Sequence, residues 1–229
     1  VKHLSEGETR YYTLETIRQF VHQRLQESGA LPMLHQRHLA YYHQLAEEGD
    51  QQIRGPEQLT WTKRLEKEKN NFIVAIQRSF ESSTNADQGV QLVCSLDWFW
   101  GFIGEFITGE HLLRKALEKS ELFGRSQTRA TVLFLAGHSL IAGDNLLTAE
   151  EGLGCLEESL SIWRELGQDY YLEEAKCLFI QGFIQQRYLS EIPGNEDLGY
   201  QIMRESIKTF QEAGNLCWHA WAVNLTTYY

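Results

Sequence analysis

Apolar residues recur at helical spacing along nearly the whole chain. From Leu14 onward, Leu14, Ile17, Val21 and Leu25 fall on one stripe of a helix that Ser28-Gly29 ends. A second helix is predicted from about Pro32 to Glu48, with Leu34, Leu39, Tyr42 and Leu45 facing inward, so the two form a pair. Arg54-Gly55-Pro56-Glu57 restarts a helix, proline being tolerated in a first turn where no intrahelical amide bond is needed. Leu59, Leu65, Phe72, Ile76 and Phe80 supply its apolar side, while Lys63, Arg64, Glu66, Lys67, Glu68 and Lys69 make a mixed-charge side. The polar run 82–88 is the best internal boundary. The three prolines, Pro32, Pro56 and Pro193, each fall where a helix boundary is expected, and helix-forming residues dominate between them. Residues 1–13 depart from this pattern: Gly7-Glu8 suits a turn and Tyr11-Tyr12-Thr13 is β-prone. A lone hairpin has no independent stability, so this segment reads as the end of something cut away.

A repeat emerges in the second half. The run from Leu156 to Gly167 matches the run from Met203 to Gly214 at an offset of 47, with apolar, acidic, serine, aromatic and glycine positions all agreeing. An earlier copy lies at 113–118, where Ala116 precedes Ser159 by 43. The preceding helices align too, Gly137 with Gly182 at 45 and Gly104 with Gly143 at 39, and the third unit carries an insertion at 191–197. Each unit is expected to be a helical hairpin whose small residues let its two helices approach closely. One hairpin cannot bury its apolar face alone, so the expected fold is all-α, a right-handed superhelix of tetratricopeptide-like hairpins. The segment from Leu216 reads as the first helix of a further repeat, which makes the chain look truncated at its C-terminus as well.

Composition narrows the function. Apolar residues make up 42% of the 229 positions, so disorder is not expected. The formal charge is -10, with acids scattered along the length, and such a surface opposes binding to a phosphate backbone. Cys94, Cys155, Cys177 and Cys217 lie tens of residues apart in apolar sequence, unlike a zinc site or a disulfide scaffold, and are expected to be buried thiols. No long uncharged run suits a bilayer and no signal-like segment opens the chain, so the cytoplasm is the expected compartment.

Candidate chemistry is sparse. His35 and His38 stand one turn apart with His43 beyond, but metal ligation needs further ligands and an orienting shell, and packing of His38 between helices is the expectation. Glu157-Glu158 and Glu173-Glu174 point about 100° apart on a helix and fit solvated faces better than opposed catalytic carboxylates. Lys63, Arg64, Lys67 and Lys69 form a basic concentration that the interleaved Glu66 and Glu68 turn toward local helix pairing or domain docking. Trp98-Phe99-Trp100, Phe102 and Phe106 read mainly as inter-helix packing, with tryptophan inviting some exposure to a groove. If Gly137 and Gly182 mark close crossings, the register places Phe99, Phe102, Phe134, His138, Ile141, Phe179, Phe183 and Gln186 along a concave side. That set is the candidate groove for a protein or peptide partner, or for a small hydrophobic effector.

The order of motifs carries a resemblance. Residues 10–20, Arg-Tyr-Tyr-Thr-Leu-Glu-Thr-Ile-Arg-Gln-Phe, then Arg24 to Gly29, Arg37 to Tyr42, Arg54 to Gln58 and Leu65 to Asn71, resemble the region after the nucleotide-binding part of bacterial signal-transduction ATPases with numerous domains. In that NB-ARC-type family a DNA-binding domain precedes a nucleotide switch, a winged helix and tetratricopeptide-like sensor repeats. The resemblance implies a winged-helix tail over 1–25, a helical linker bundle over 26–86 and a repeat array over 87–229. It also implies a non-catalytic sensor or protein-interaction module that relays effector or partner binding to an upstream nucleotide-binding domain in transcription regulation. No glycine-rich phosphate loop and no DNA-reading unit is present, so neither a cofactor nor direct nucleic-acid contact is expected of this chain. A constitutive protein scaffold is the first alternative, and a small-molecule or metal-dependent enzyme the second.

Overall fold

The computed structural model describes residues 2–5, 8–11, 14–82, 84–139, 147–192 and 194–227. Over these the chain is α-helical, apart from a short ribbon at its start. Strand β1 (Lys2–Ser5) pairs antiparallel with β2 (Glu8–Tyr11), Lys2 standing opposite Tyr11 and Ser5 opposite Glu8. The helices that follow are α1 (Glu15–Glu27), α2 (Leu31–Ile53), α3 (Gln58–Phe80), α4 (Ala86–Ser95), α5 (Asp97–Phe102) and α6 (Phe106–Ser120). Then come α7 (Gln127–His138), α8 (Ala149–Leu166), α9 (Tyr171–Tyr188), α10 (Asn195–Glu212) and α11 (Leu216–Thr227).

Consecutive helices pair. Helix α2 packs on α3, α7 on α8 and α9 on α10, while α4 and its short continuation α5 share α6 as partner. Each pair also leans on the next, through α3 on α4, α6 on α7, α8 on α9 and α10 on α11. The aligned glycines explain the closest pairings. A methyl group on Gly137 would stand 2.5 Å from Leu156 Cγ and 3.0 Å from the Gly152 carbonyl oxygen of α8. On Gly182 it would stand 2.7 Å from the Gly199 carbonyl oxygen of α10. Each helix pair thus meets backbone to backbone at a point where a side chain has no room.

The matched runs of α8 and α10 have matched burial at three positions. Leu156 and Met203, Ser159 and Ser206, and Trp163 and Phe210 are all buried. The Ser159 hydroxyl donates to the Ala130 carbonyl of α7 at 2.7 Å, and the Ser206 hydroxyl to its own helix at Ile202, so neither buried group goes unpaired. The runs end on Gly167 and Gly214, with φ of 115° and 67°, a left-handed region that glycine enters without a Cβ penalty. Helix α8 starts on a capping box: Thr148 Oγ1 accepts from the Glu151 amide while the Glu151 carboxylate accepts from the Thr148 amide.

Several boundaries differ from those the sequence predicts. Helix α2 runs on to Ile53 because Gly49 gives Leu65 of α3 room to pack: a Cβ there would lie 2.7 Å from Leu65 Cδ1. Pro56 sits in a turn closed by the Gln58 amide on the Gly55 carbonyl, so α3 begins two residues after it rather than around it. Leu34 and Leu59 face outward, whereas Leu39, Leu45, Leu65, Phe72 and Ile76 are buried. On α1, Leu14, Ile17 and Val21 are 64%, 50% and 44% exposed, so this stripe is not covered by described residues. The polar turn near residue 86 does not interrupt the core. One apolar cluster runs from Leu39 of α2 through Phe72, Val90 and Phe99 to Ala136 of α7. A second, from Ala130 to Ala222, joins it through Leu117, Phe134 and Cys155, which pack against both.

Candidate functional site

In the register that aligns Gly137 with Gly182, the earlier unit carries Trp98 instead of glycine. An indole cannot fit where two helix backbones touch. The helix there is interrupted: α4 stops at Ser95, Leu96 forms the joint at φ −101° and ψ 3°, and α5 restarts at Asp97. Trp98 then stands between two cavities and lines both.

The first cavity has a volume of about 370 Å³. Trp98, Trp100 and Phe102 come from α5, Phe106, Glu110 and Leu113 from α6, His138 from the end of α7 and Trp221 from α11. Phe102 and Phe106 are 42% and 50% exposed, so they form its open rim. The second cavity, about 380 Å³, is mixed in character: Asp50 of α2 and Arg54 just after it, Phe134 of α7, Trp163 of α8, Tyr170 ahead of α9, Glu173 and Lys176 of α9, and Trp218 of α11 line it. Rings in contact tie the two together. Phe134 stacks on His138 at 5.7 Å between centroids, His138 reaches Trp221 at 5.5 Å, and Trp218 meets Trp221 edge-on at 5.0 Å.

Electrostatics differ between the cavities. Burial and then the nearby Arg54 charge push the His138 imidazole down to about 4, so it is neutral at pH 7. Its Nε2 is buried with no hydrogen-bond partner, and so is Trp100 Nε1. In the second cavity Arg54 grips the two Asp50 oxygens at 2.5 and 2.6 Å, while burial raises the Asp50 carboxyl despite that guanidinium. Lys176 donates to Glu173 at 3.1 Å.

The sequence-derived groove set separates into distinct places. Phe102 and His138 line the first cavity and Phe134 the second. Phe99, Phe179 and Phe183 are buried in the helix-packing core. Phe99 packs on Phe72 and Phe179 on Phe210, so their rings are used inside the stack. Gln186 is apart from both cavities, its Nε2 donating to Tyr200 Oη at 3.3 Å, and Ile141, like Gly143 of the repeat alignment, lies outside the described residues. Sequence reasoning missed Trp218, Trp221 and Glu110. The two tryptophans sit three apart on a helix apolar on most sides, where no single face stands out as the one to read.

The remaining candidates are placed as follows. His38 packs on Tyr42 with centroids 4.6 Å apart, and His43 is buried against Gln88 of α4. No group of three potential metal ligands occurs among the described residues. Glu158 accepts from Arg129 at 2.6 and 3.0 Å, and Glu174 from Arg164 at 3.2 Å. Lys69 pairs with Glu105 ahead of α6, and Arg64 lies 4.3 Å over Trp61. Cys177 is buried, Cys94 and Cys155 are partly so, and Cys217 is exposed rather than buried. Burial raises the Cys177 thiol to about 12, well above a reactive range. No described helix is long and apolar enough to cross a membrane. No family model, curated protein or solved structure matches this chain.

Proposed function

We propose that this chain is the sensor region of a multidomain regulator, a right-handed stack of tetratricopeptide-like hairpins that binds an effector or partner between α5, α6 and α11. On this reading binding is relayed, without bond chemistry in this chain, to a nucleotide-binding switch of the kind the sequence motifs resemble. The observation that carries it is the aromatic cavity of about 370 Å³, a volume in the range of small-ligand sites, about 300–1,000 Å³. Trp100 and His138 line it while Trp100 Nε1 and His138 Nε2 lack protein partners, a state that native proteins rarely leave unexplained. Support also comes from Glu158 of α8 and Glu174 of α9, whose carboxylates are held in ion pairs with Arg129 and Arg164.

The test fills the cavity without disturbing the fold. Gly101 lines it, and a Cβ there meets only Phe106 Cε1, at an ordinary 3.8 Å. Gly101→Leu in the full-length gene of the source cell is expected to abolish the regulated transcript response while protein level and melting temperature hold. A transcript profile indistinguishable from wild type would overturn the sensor reading. The exposed apolar stripe of α1 favours a second reading, a constitutive scaffold. That version predicts partner binding unchanged by Gly101→Leu and lost on changing Ile17 and Val21 to Ser.

A further inference from the structure

The chain's own cations already sit on the cleft aromatics, but on one side. The Arg54 guanidinium lies 5.2 Å from the Trp98 ring centre and the Lys176 ammonium 5.6 Å from that of Trp218. Both cations line the second cavity. The first cavity has walls of the same kind, from Trp98, Trp100, Phe102, Phe106 and Trp221, yet no lysine or arginine is among its described lining residues. Its charged lining residues are two acids, Asp97 and Glu110.

The cations beside the cavity are held in ion pairs. Arg54 is held in a two-pronged contact by Asp50, and Arg114 reaches Glu110 at 3.1 Å from outside the cavity wall. His138, neutral at pH 7, adds no positive charge. Aromatic faces attract cations through the ring quadrupole, most strongly where water is excluded. A partly enclosed space with several such faces, two carboxylates and no cation of its own therefore favours a positive occupant and opposes a negative one. The chain's net charge of -10 adds long-range attraction of the same sign.

We infer that the first cavity takes an amphipathic organic cation: an ammonium group carried on an apolar body of small-molecule size. This rests on the sensor reading of the same cavity and adds the ligand's chemical class. The apolar body fills the space between Trp100, Leu113 and Trp221, and the ammonium group faces the aromatic rings and the acids.

Three probes of one shape and three charges test it: phenylbutylammonium, phenylbutanol and phenylbutanoate, titrated calorimetrically into the full-length protein. Phenylbutylammonium is expected to bind about tenfold more tightly than the alcohol, and the carboxylate more weakly still. Glu110→Gln narrows the amine-to-alcohol ratio several-fold and leaves alcohol binding unchanged, and Gly101→Leu removes binding of both. Equal affinity for the three probes, or tighter binding of the carboxylate, would overturn the cation assignment and leave the cavity standing as a ligand site. Binding of none of the three would overturn both. Amine binding unaffected by Gly101→Leu would place the ligand elsewhere and also overturn the assignment.

Discussion

Single atoms decide how close the helices come. At Gly182 an added methyl group meets backbone, the Gly199 carbonyl oxygen at 2.7 Å, and backbone does not rotate aside as a side chain can. Gly182→Ala is therefore expected to destabilise the chain by about 1–3 kcal/mol. Gly154→Ala, on a face of α8 with nothing within 4 Å, is expected to be neutral or to stabilise by about 0.5–1 kcal/mol through helix propensity. Urea unfolding of the two variants side by side checks the contrast, and equal effects would argue against backbone contact between α9 and α10. His138 gives a pH dependence of definite sign. Its imidazole is pushed from the usual 6.5 down to about 4, so between those values the unfolded chain binds a proton that the folded chain does not. Stability is full above about pH 6.5 and falls as the pH drops toward 4, by on the order of 3 kcal/mol from this residue. His38 and His43, also lowered mainly by burial, act in the same direction. A His138→Phe variant should show a shallower loss of melting temperature between pH 7 and pH 4, and an unchanged slope would contradict the burial assigned to this ring.

Elements show what was legible in the sequence and what was not. Helix pairing was legible where like residues do like work: the 47-residue offset from Leu156 to Met203 corresponds to two helices that share three buried positions and run into a glycine of positive φ. The cleft was less legible because Trp98 breaks the register. The register of Gly137 and Gly182 put Phe99 in the groove, whereas Phe99 is buried beyond the joint at Leu96 and Trp98 stands between the cavities. Residues facing each other across the cleft come from helices more than a hundred residues apart, and periodicity within one helix carries no information on that pairing. The start of α8, by contrast, follows from four residues: Thr148→Ala removes one half of the capping box and is expected to cost about 1 kcal/mol in chemical denaturation, while Thr148→Ser should restore most of it.

At the scale of the whole molecule, the core is continuous. Leu39, Leu65 and Phe72 share a cluster with Val90, Leu92 and Phe99, so α2 and α3 bury their faces against α4. Residues 26–86 made alone are expected to lose cooperative unfolding and much of their helical circular dichroism, because the α4 side of that cluster meets water. A sharp thermal transition in that fragment would show an independent bundle instead. The same continuity offers a mechanical route from the cleft to α2: Trp98 touches the cleft, Arg54 lies over Trp98, and Arg54 follows directly on α2.

On the reading proposed above, the cleft between α5, α6 and α11 is where this protein receives its ligand. Amide hydrogen exchange of the full-length protein with and without saturating phenylbutylammonium tests it most directly. Protection is expected to concentrate in α5, α6, the last turn of α7 and α11, and to be lost in Gly101→Leu. Protection confined to other helices, or the same protection in Gly101→Leu, would contradict it.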